Sequence, residues 1–321
     1  MIDLSAAEIA TFHAQGFVAL NRITSDDEVG RLREIFDRLF EKRTGWEKGA
    51  FLDLAGTDKP ARPAVLPQIL NPQQFAPELP QTEFRKAALR IAQQLLGLEA
   101  HAWFEHAIAK PAEFGAATPW HQDEAHRSDR ELDYEQISVW VPLQDAVAEN
   151  GCMQYIPATH KGPVLTHHSP SDDPRVNALE CIGPLDVSRA VACPLPAGGV
   201  AIHHCRTIHG AGSNHSRNPR RAYILAFRGS APKRRCNAVS VAGGKADSRC
   251  AAKRSVETTR WPPCHCTSTN SGGLRSIPPP TRWLDSPEGL PLNRGCPASI
   301  SLQHSEVAHP GLCHCRPYGH G

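Results

Sequence analysis

The chain has 321 residues, and none of its apolar runs approaches the length a bilayer demands. A spanning helix needs about 18–20 consecutive apolar residues, so no membrane partner is expected. No sign of charge dominates either, with 35 Lys+Arg against 33 Asp+Glu. That balance argues against a generally basic nucleic-acid binder and against an acidic solvating chain. The opening, MIDLSAAEIATFHAQG, lacks a basic segment leading into an apolar one. No export signal is therefore expected, and the expected compartment is the cytoplasm. Internal repeats are missing too.

What the chain does have is cysteine, eleven in all, many for a compartment that keeps thiols reduced. Their distribution exposes two unlike parts. Residues 1–230 carry 23 basic and 28 acidic side chains, whereas residues 231–321 carry 12 and 5. Seven cysteines (Cys236, Cys250, Cys264, Cys266, Cys296, Cys313 and Cys315) and 11 of the 28 prolines fall in the second part. It has no Phe and only twelve Leu, Ile or Val in 91 residues. A packed core becomes doubtful below roughly 20% of such residues. The expectation is one domain over 1–230 and a Cys/Pro/Ser-rich tail over 231–321, disordered or read out of frame. Two triplets in the tail, Cys264-His265-Cys266 and Cys313-His314-Cys315, look like zinc ligands. Zinc sites usually space paired ligands by two to four residues, so no zinc site is expected there.

The first part has regular punctuation. Ser5 with Glu8 forms a capping box for a short helix that Gly16 closes. Ser25 or Asp26 opens a longer helix with Val29, Leu32, Ile35, Phe36, Leu39 and Phe40 in one stripe, and another amphipathic helix spans about 84–96. FVAL (17–20) is a strand candidate. From about residue 99 the texture turns to short strands: ISVWVPL (137–143), CMQYIP (152–157), GVAIHH (199–204) and RAYILAF (221–227). Asn150-Gly151 is expected to be a hairpin turn between two of them. Helices followed by many short strands predict a mainly β antiparallel sandwich or barrel with flanking helices.

Among 17 histidines, spacing selects a few. His121 and Asp123 stand at i and i+2, so on extended backbone an imidazole and a carboxylate share one face. His209, just past GVAIHH, could supply a third ligand. Two His and a carboxylate suit Fe(II) with open positions, or Zn(II) for hydrolysis. Arg220, eleven residues beyond His209, offers a fork suited to a carboxylate. A metal beside such an arginine describes a site for a 2-oxo acid. Weaker candidates are His126, Lys110 and one member each of His203-His204 and His167-His168. At most one of each pair could reach the pocket, and of the first pair His204 is the candidate. Cys152, Cys181, Cys193 and Cys205 read as small buried hydrophobes.

These residues carry a resemblance. TPWHQDEAH (118–126), VWVPLQDAVAENGCMQYIPATHK (139–161), AGGVAIHHCRTIHGAGSNHS (197–216) and PRRAYILAF (219–227), with the opening LSAAEIATFHAQGFVAL (4–20), resemble the phytanoyl-CoA dioxygenase family of Fe(II)/2-oxoglutarate oxygenases. The resemblance covers about 1–230 and implies a double-stranded β-helix, a cupin-like jelly-roll barrel. It implies that His121, Asp123 and His209 hold Fe(II), that Arg220 binds the far carboxylate of 2-oxoglutarate, and that Gln122 and Trp140 line the pocket near that cosubstrate. It implies hydroxylation of a small molecule by O2 with release of succinate and CO2. Some relatives replace the metal carboxylate by Ala to admit halide, and Asp123 argues against that. Two departures touch no ligand: Ala158-Thr159 where the family usually has Gly-Ser, and Gly198-Gly199 where it often has Gly-Asp. In the family a short basic terminus follows the arginine strand, and APKRR (231–235) looks like its beginning. Competing readings are a Zn-dependent hydrolase or isomerase on a cupin-like barrel and a catalytically silent binding protein.

Overall fold

Ser5 accepts a hydrogen bond from the Glu8 N–H, the Glu8 carboxylate accepts one from the Ser5 N–H, and helix α1 (Ala6–Gln15) ends at Gly16 with φ 85°. Helix α2 (Asp26–Glu41) starts from Ser25, and Val29, Leu32, Ile35, Phe36 and Leu39 form its buried stripe. Helix α3 (Glu83–Leu96) stops at Gly97. These are the helices that the caps and periodicity predict. The structure, a computed structural model, describes residues 2–57, 63–127, 129, 132–173 and 176–234. The seven cysteines and two C-H-C triplets of the tail lie outside the described residues.

Eleven strands build two sheets: β1 (Phe17–Leu20), β2 (Phe51–Asp53), β3 (Pro67–Leu70), β4 (His101–Lys110), β5 (Thr118–His121), β6 (Gln136–Pro142), β7 (Met153–Tyr155), β8 (Val191–Cys193), β9 (Val200–His204), β10 (His209–Ala211) and β11 (Arg220–Arg228). The larger sheet runs β1-β9-β6-β11-β4-β3-β2 and the smaller β8-β7-β10-β5, with every pairing antiparallel. From β4 onward successive strands alternate between the sheets, save for β7 and β8, which are neighbours. That connectivity is a jelly roll, the expected architecture. Beyond residue 230, Lys233 and Arg234 still pair with Asp133 and Leu132.

Period-two alternation sorts the side chains between two cores. Tyr223, Leu225 and Phe227 of β11, with Ile137, Val139 and Val141 of β6, pack against the helices. Ala222 and Ile224 of β11, with Trp140 of β6, turn inward and meet Met153, Tyr155, Cys193 and Ala211 of the smaller sheet. The inward face is where the polar candidates collect.

One turn differs from its expectation. Asn150-Gly151 is no hairpin, because β6 and β7 belong to different sheets. Residues Ala148–Asn150 form a single 3-10 turn that Gly151 ends at φ 80°. The Asn150 side chain accepts from the Val147 N–H and donates to the Asp145 carbonyl, while a Cβ on Gly151 would sit 2.3 Å from the Gly212 oxygen. The dipeptide is retained for a tight crossover, since Gly alone adopts positive φ without cost.

Candidate metal centre

His121 is the last residue of β5 and His209 the first of β10, and they are opposite each other in the antiparallel ladder. Their rings lie 4.2 Å apart. The His121 Nδ1–H donates to the Pro119 carbonyl at 2.8 Å, and the His209 Nδ1–H donates to the Thr207 carbonyl at 2.9 Å. Backbone carbonyls thus fix both tautomers and leave each Nε2 lone pair for an ion. Gln122 is extended, at φ −122° and ψ 128°, so Asp123, which opens a 3-10 turn (Asp123–His126), projects to the same side as His121. Its Oδ1 is 3.6 Å from Nε2 of both His121 and His209. One donor atom from each of the three lies within 4.8 Å of the others.

The electrostatics suit a cation. Burial alone would raise the Asp123 carboxyl, but His209, His121 and His203 outweigh it and hold the group well below the usual carboxylate range. Burial, then the neighbouring His203 and His121, pushes His209 well below the ordinary imidazole value. The unprotonated forms are those that bind a metal.

Arg220 begins β11 and lines the same cavity, only 2% exposed. Among the described residues its Nε and Nη1 have no hydrogen-bond partner, and its guanidinium carbon lies 5.4 Å from the centre of the Trp140 ring. Burial pulls the guanidinium down to about 9. A buried fork without a partner is costly, and a carboxylate would satisfy it in bidentate fashion.

Other candidates fall differently. Trp140 lies on the cavity wall. Gln122 does not: it is fully buried, and its amide donates to the Pro163 and Arg206 carbonyls and accepts from the Leu165 N–H. This corrects the expected cosubstrate contact, because extended backbone turns Gln122 away from its two neighbours and into the adjoining loops. His126 lines the cavity. His203, and not His204, faces inward: its Nε2 is 3.2 Å from Asp123 Oδ2, while His204 packs against His160. His167 accepts a hydrogen bond from the Gln122 N–H and so braces the His121–Asp123 segment from behind. Lys110, opposite Arg220 in the ladder, donates to the Ala116 carbonyl and the Thr118 hydroxyl, and burial followed by Arg220 pulls it down to about 6. Sequence reasoning missed Ser138 and Tyr155, and also Gln68, Trp103, Phe104 and His106 on the cavity wall. The alternation Phe104, His106, Ile108 along β4 was the available signal.

The sequence pattern of the phytanoyl-CoA dioxygenase (PhyH) family matches residues 12–222. The chain belongs to that family. It is 27% identical over 261 residues to the peroxisomal phytanoyl-CoA dioxygenase of Rattus norvegicus, covering 75% of this chain and 72% of the relative. It is 31% identical over 116 residues to a probable alpha-ketoglutarate-dependent hypophosphite dioxygenase of Stutzerimonas stutzeri, spanning 40% of that protein's length. Among solved structures, EvdO2 from Micromonospora carbonacea var. aurantiaca complexed with 2-oxoglutarate superposes with a TM-score of 0.62 at 35% identity, covering 74% of this chain and 95% of that one. Membership makes this protein an oxygenase of the Fe(II)/2-oxoglutarate-dependent class.

Proposed function

We propose that this protein hydroxylates a small-molecule substrate, with His121, Asp123 and His209 holding Fe(II) and Arg220 holding the far carboxylate of 2-oxoglutarate. The observation that carries the reading is the buried, unpartnered Arg220 fork in the same cavity as the three converging donors. A zinc hydrolase would leave that fork without a task. The donor set fits the metal: two imidazoles and one carboxylate occupy one side and leave positions for the cosubstrate and O2. When bound, iron would activate O2, the oxidant, which takes two electrons from 2-oxoglutarate, released as succinate and CO2, and two from the substrate, which is hydroxylated.

The protein's own residues orient and shield. The Pro119 and Thr207 carbonyls lock the two imidazoles, Trp140 closes the cavity beside Arg220, and the aromatic β4 wall limits water around the reacting centre. Anaerobic addition of Fe(II) and then 2-oxoglutarate should produce the weak visible charge-transfer band of that complex. His121→Ala or Asp123→Ala should abolish both the band and 2-oxoglutarate turnover. Succinate release by purified His121→Ala at the parent rate would overturn the assignment. Substrate identity would then come from a metabolite panel scored by stimulated succinate production.

A further inference from the structure

The two oxygens of the Asp123 carboxylate have different surroundings. Oδ1 faces Nε2 of His121 and His209 at 3.6 Å each. Oδ2 accepts from the Ser138 hydroxyl at 2.8 Å and lies 3.2 Å from His203 Nε2. Ser138 of β6 and His203 of β9 are direct cross-strand partners, so their side chains leave the sheet on the same face. Both are almost fully buried, at 4% and 2% exposure. The far side of the His203 ring is also occupied. Its Nδ1 lies 3.1 Å from the Tyr155 hydroxyl, and Tyr155 is wholly buried and stacked on Phe17 with ring centres 4.6 Å apart. Phe17 is itself the ladder partner of His203.

Donor and acceptor chemistry sets the direction of this chain. A carboxylate oxygen can only accept, so His203 Nε2 carries the proton toward Asp123. Nδ1 is then left to accept from the Tyr155 hydroxyl. We infer that His203, with its tautomer set by Tyr155, is a positioning residue that holds Asp123 as a one-oxygen ligand, and the inference rests on the metal reading above. Ser138 and His203 together cap Oδ2, so the carboxylate presents Oδ1 alone. Were both oxygens to turn toward the metal, one position needed by the cosubstrate or O2 would be lost. Partners of ligating groups commonly tune metal affinity by 10–100-fold.

The test uses the full chain with Co(II) as a visible-absorption probe, followed by anaerobic Fe(II) plus 2-oxoglutarate. His203→Phe should weaken Co(II) binding by about 10-fold or more and shift its absorption, while His203→Gln, which restores an N–H donor, should recover most of the affinity. Tyr155→Phe should weaken binding by roughly threefold, and the double variant should be no worse than His203→Phe alone, because Tyr155 acts through His203. A role in packing alone predicts that His203→Gln is as damaging as His203→Phe and that the two losses multiply. Binding by His203→Phe within twofold of the parent, with an unchanged spectrum, would overturn the inference. If His203→Phe does not fold, His203→Gln and Tyr155→Phe decide: unchanged affinity in Tyr155→Phe overturns it. A parent protein that takes up neither Co(II) nor Fe(II) would instead overturn the metal reading itself.

Discussion

Arg220 and His106 occupy one cavity and pose opposite electrostatic problems. Arg220 is a buried cation whose Nε and Nη1 lack partners among the described residues, a cost that a bound dicarboxylate would resolve. Arg220→Ala should raise KM for 2-oxoglutarate by about 100-fold with kcat within a few-fold, since truncating one partner of a buried charge pair costs about 2–5 kcal/mol. Arg220→Lys should recover only part of the loss, because an ammonium lacks the planar fork; steady-state kinetics in 2-oxoglutarate measures both. His106 pays its cost in protonation. Its Nδ1 lies 3.0 Å from the Gln68 amide, and burial, against the opposing pull of Asp123, lowers it to about 4. An unfolded histidine titrates near 6.5. Below that value the unfolded chain takes up a proton that the folded chain refuses, so the stability is intact above about 6.5 and declines as pH falls toward 4. The slope from this one group is at most about 1.4 kcal/mol per pH unit. Thermal unfolding at pH 7 and pH 5 should therefore show a smaller drop for His106→Gln than for the parent. An equal drop would remove His106 as the source.

Elements show where sequence reading succeeds and where it stops. Local signals, such as the Ser5–Glu8 box, Gly16 and the α2 stripe, were legible because each is complete within a few residues. The candidate donors His121, Asp123 and His209 could be selected from their spacing and from the resemblance to a family, and the structure brings the three together. The caps and braces supplied from a distance were not legible. Helix α3 is the clearest instance: the Thr82 hydroxyl before it donates backward to the Leu79 carbonyl and caps nothing. The cap comes from α2, where buried Glu28 accepts from the Glu83 and Phe84 N–H groups at 2.6 Å each and from the Thr24 hydroxyl. A carboxylate at a helix N-terminus also meets the positive end of the dipole. Glu28→Ala strands the buried Phe84 N–H and the part-buried Glu83 N–H and should cost about 3 kcal/mol, lowering Tm by roughly 6–12 °C. Glu28→Gln should lose about half as much, having one acceptor left. For the same reason, the family departure at Ala158 is intelligible only in three dimensions. Ala158 sits at φ 64°, where its N–H donates to the Gln15 carbonyl. An L-residue pays about 1–2 kcal/mol for that conformation, so Ala158→Gly should stabilise the protein by roughly 1 kcal/mol, read as a rise in denaturation midpoint.

At the scale of the whole molecule, the candidate site lies at the seam between two sheets. The smaller sheet supplies His121 and His209, while the larger one supplies Arg220, Trp140, Ser138 and His203. Asp123, on the link from β5 toward β6, is tied to both. The last of these strands, β11, ends at Arg228, and Lys233–Arg234 makes the final described pairing. Residues 235–321 contain no Phe and few aliphatics, so they have little apolar area to contribute to either core, and hydrophobic stabilisation scales with that area. We therefore propose that the oxygenase is complete near residue 234. A chain truncated after Arg234 should keep Tm within about 2 °C of the full chain, a stability change under roughly 1 kcal/mol, and should form the Fe(II)/2-oxoglutarate band with unchanged affinities. Loss of the band in a truncated protein that still unfolds at the parent temperature would show that the later residues serve the site, whereas a fall in Tm of ten degrees would show that they serve the fold. Either result would move the domain boundary that charge, proline and cysteine mark near residue 231.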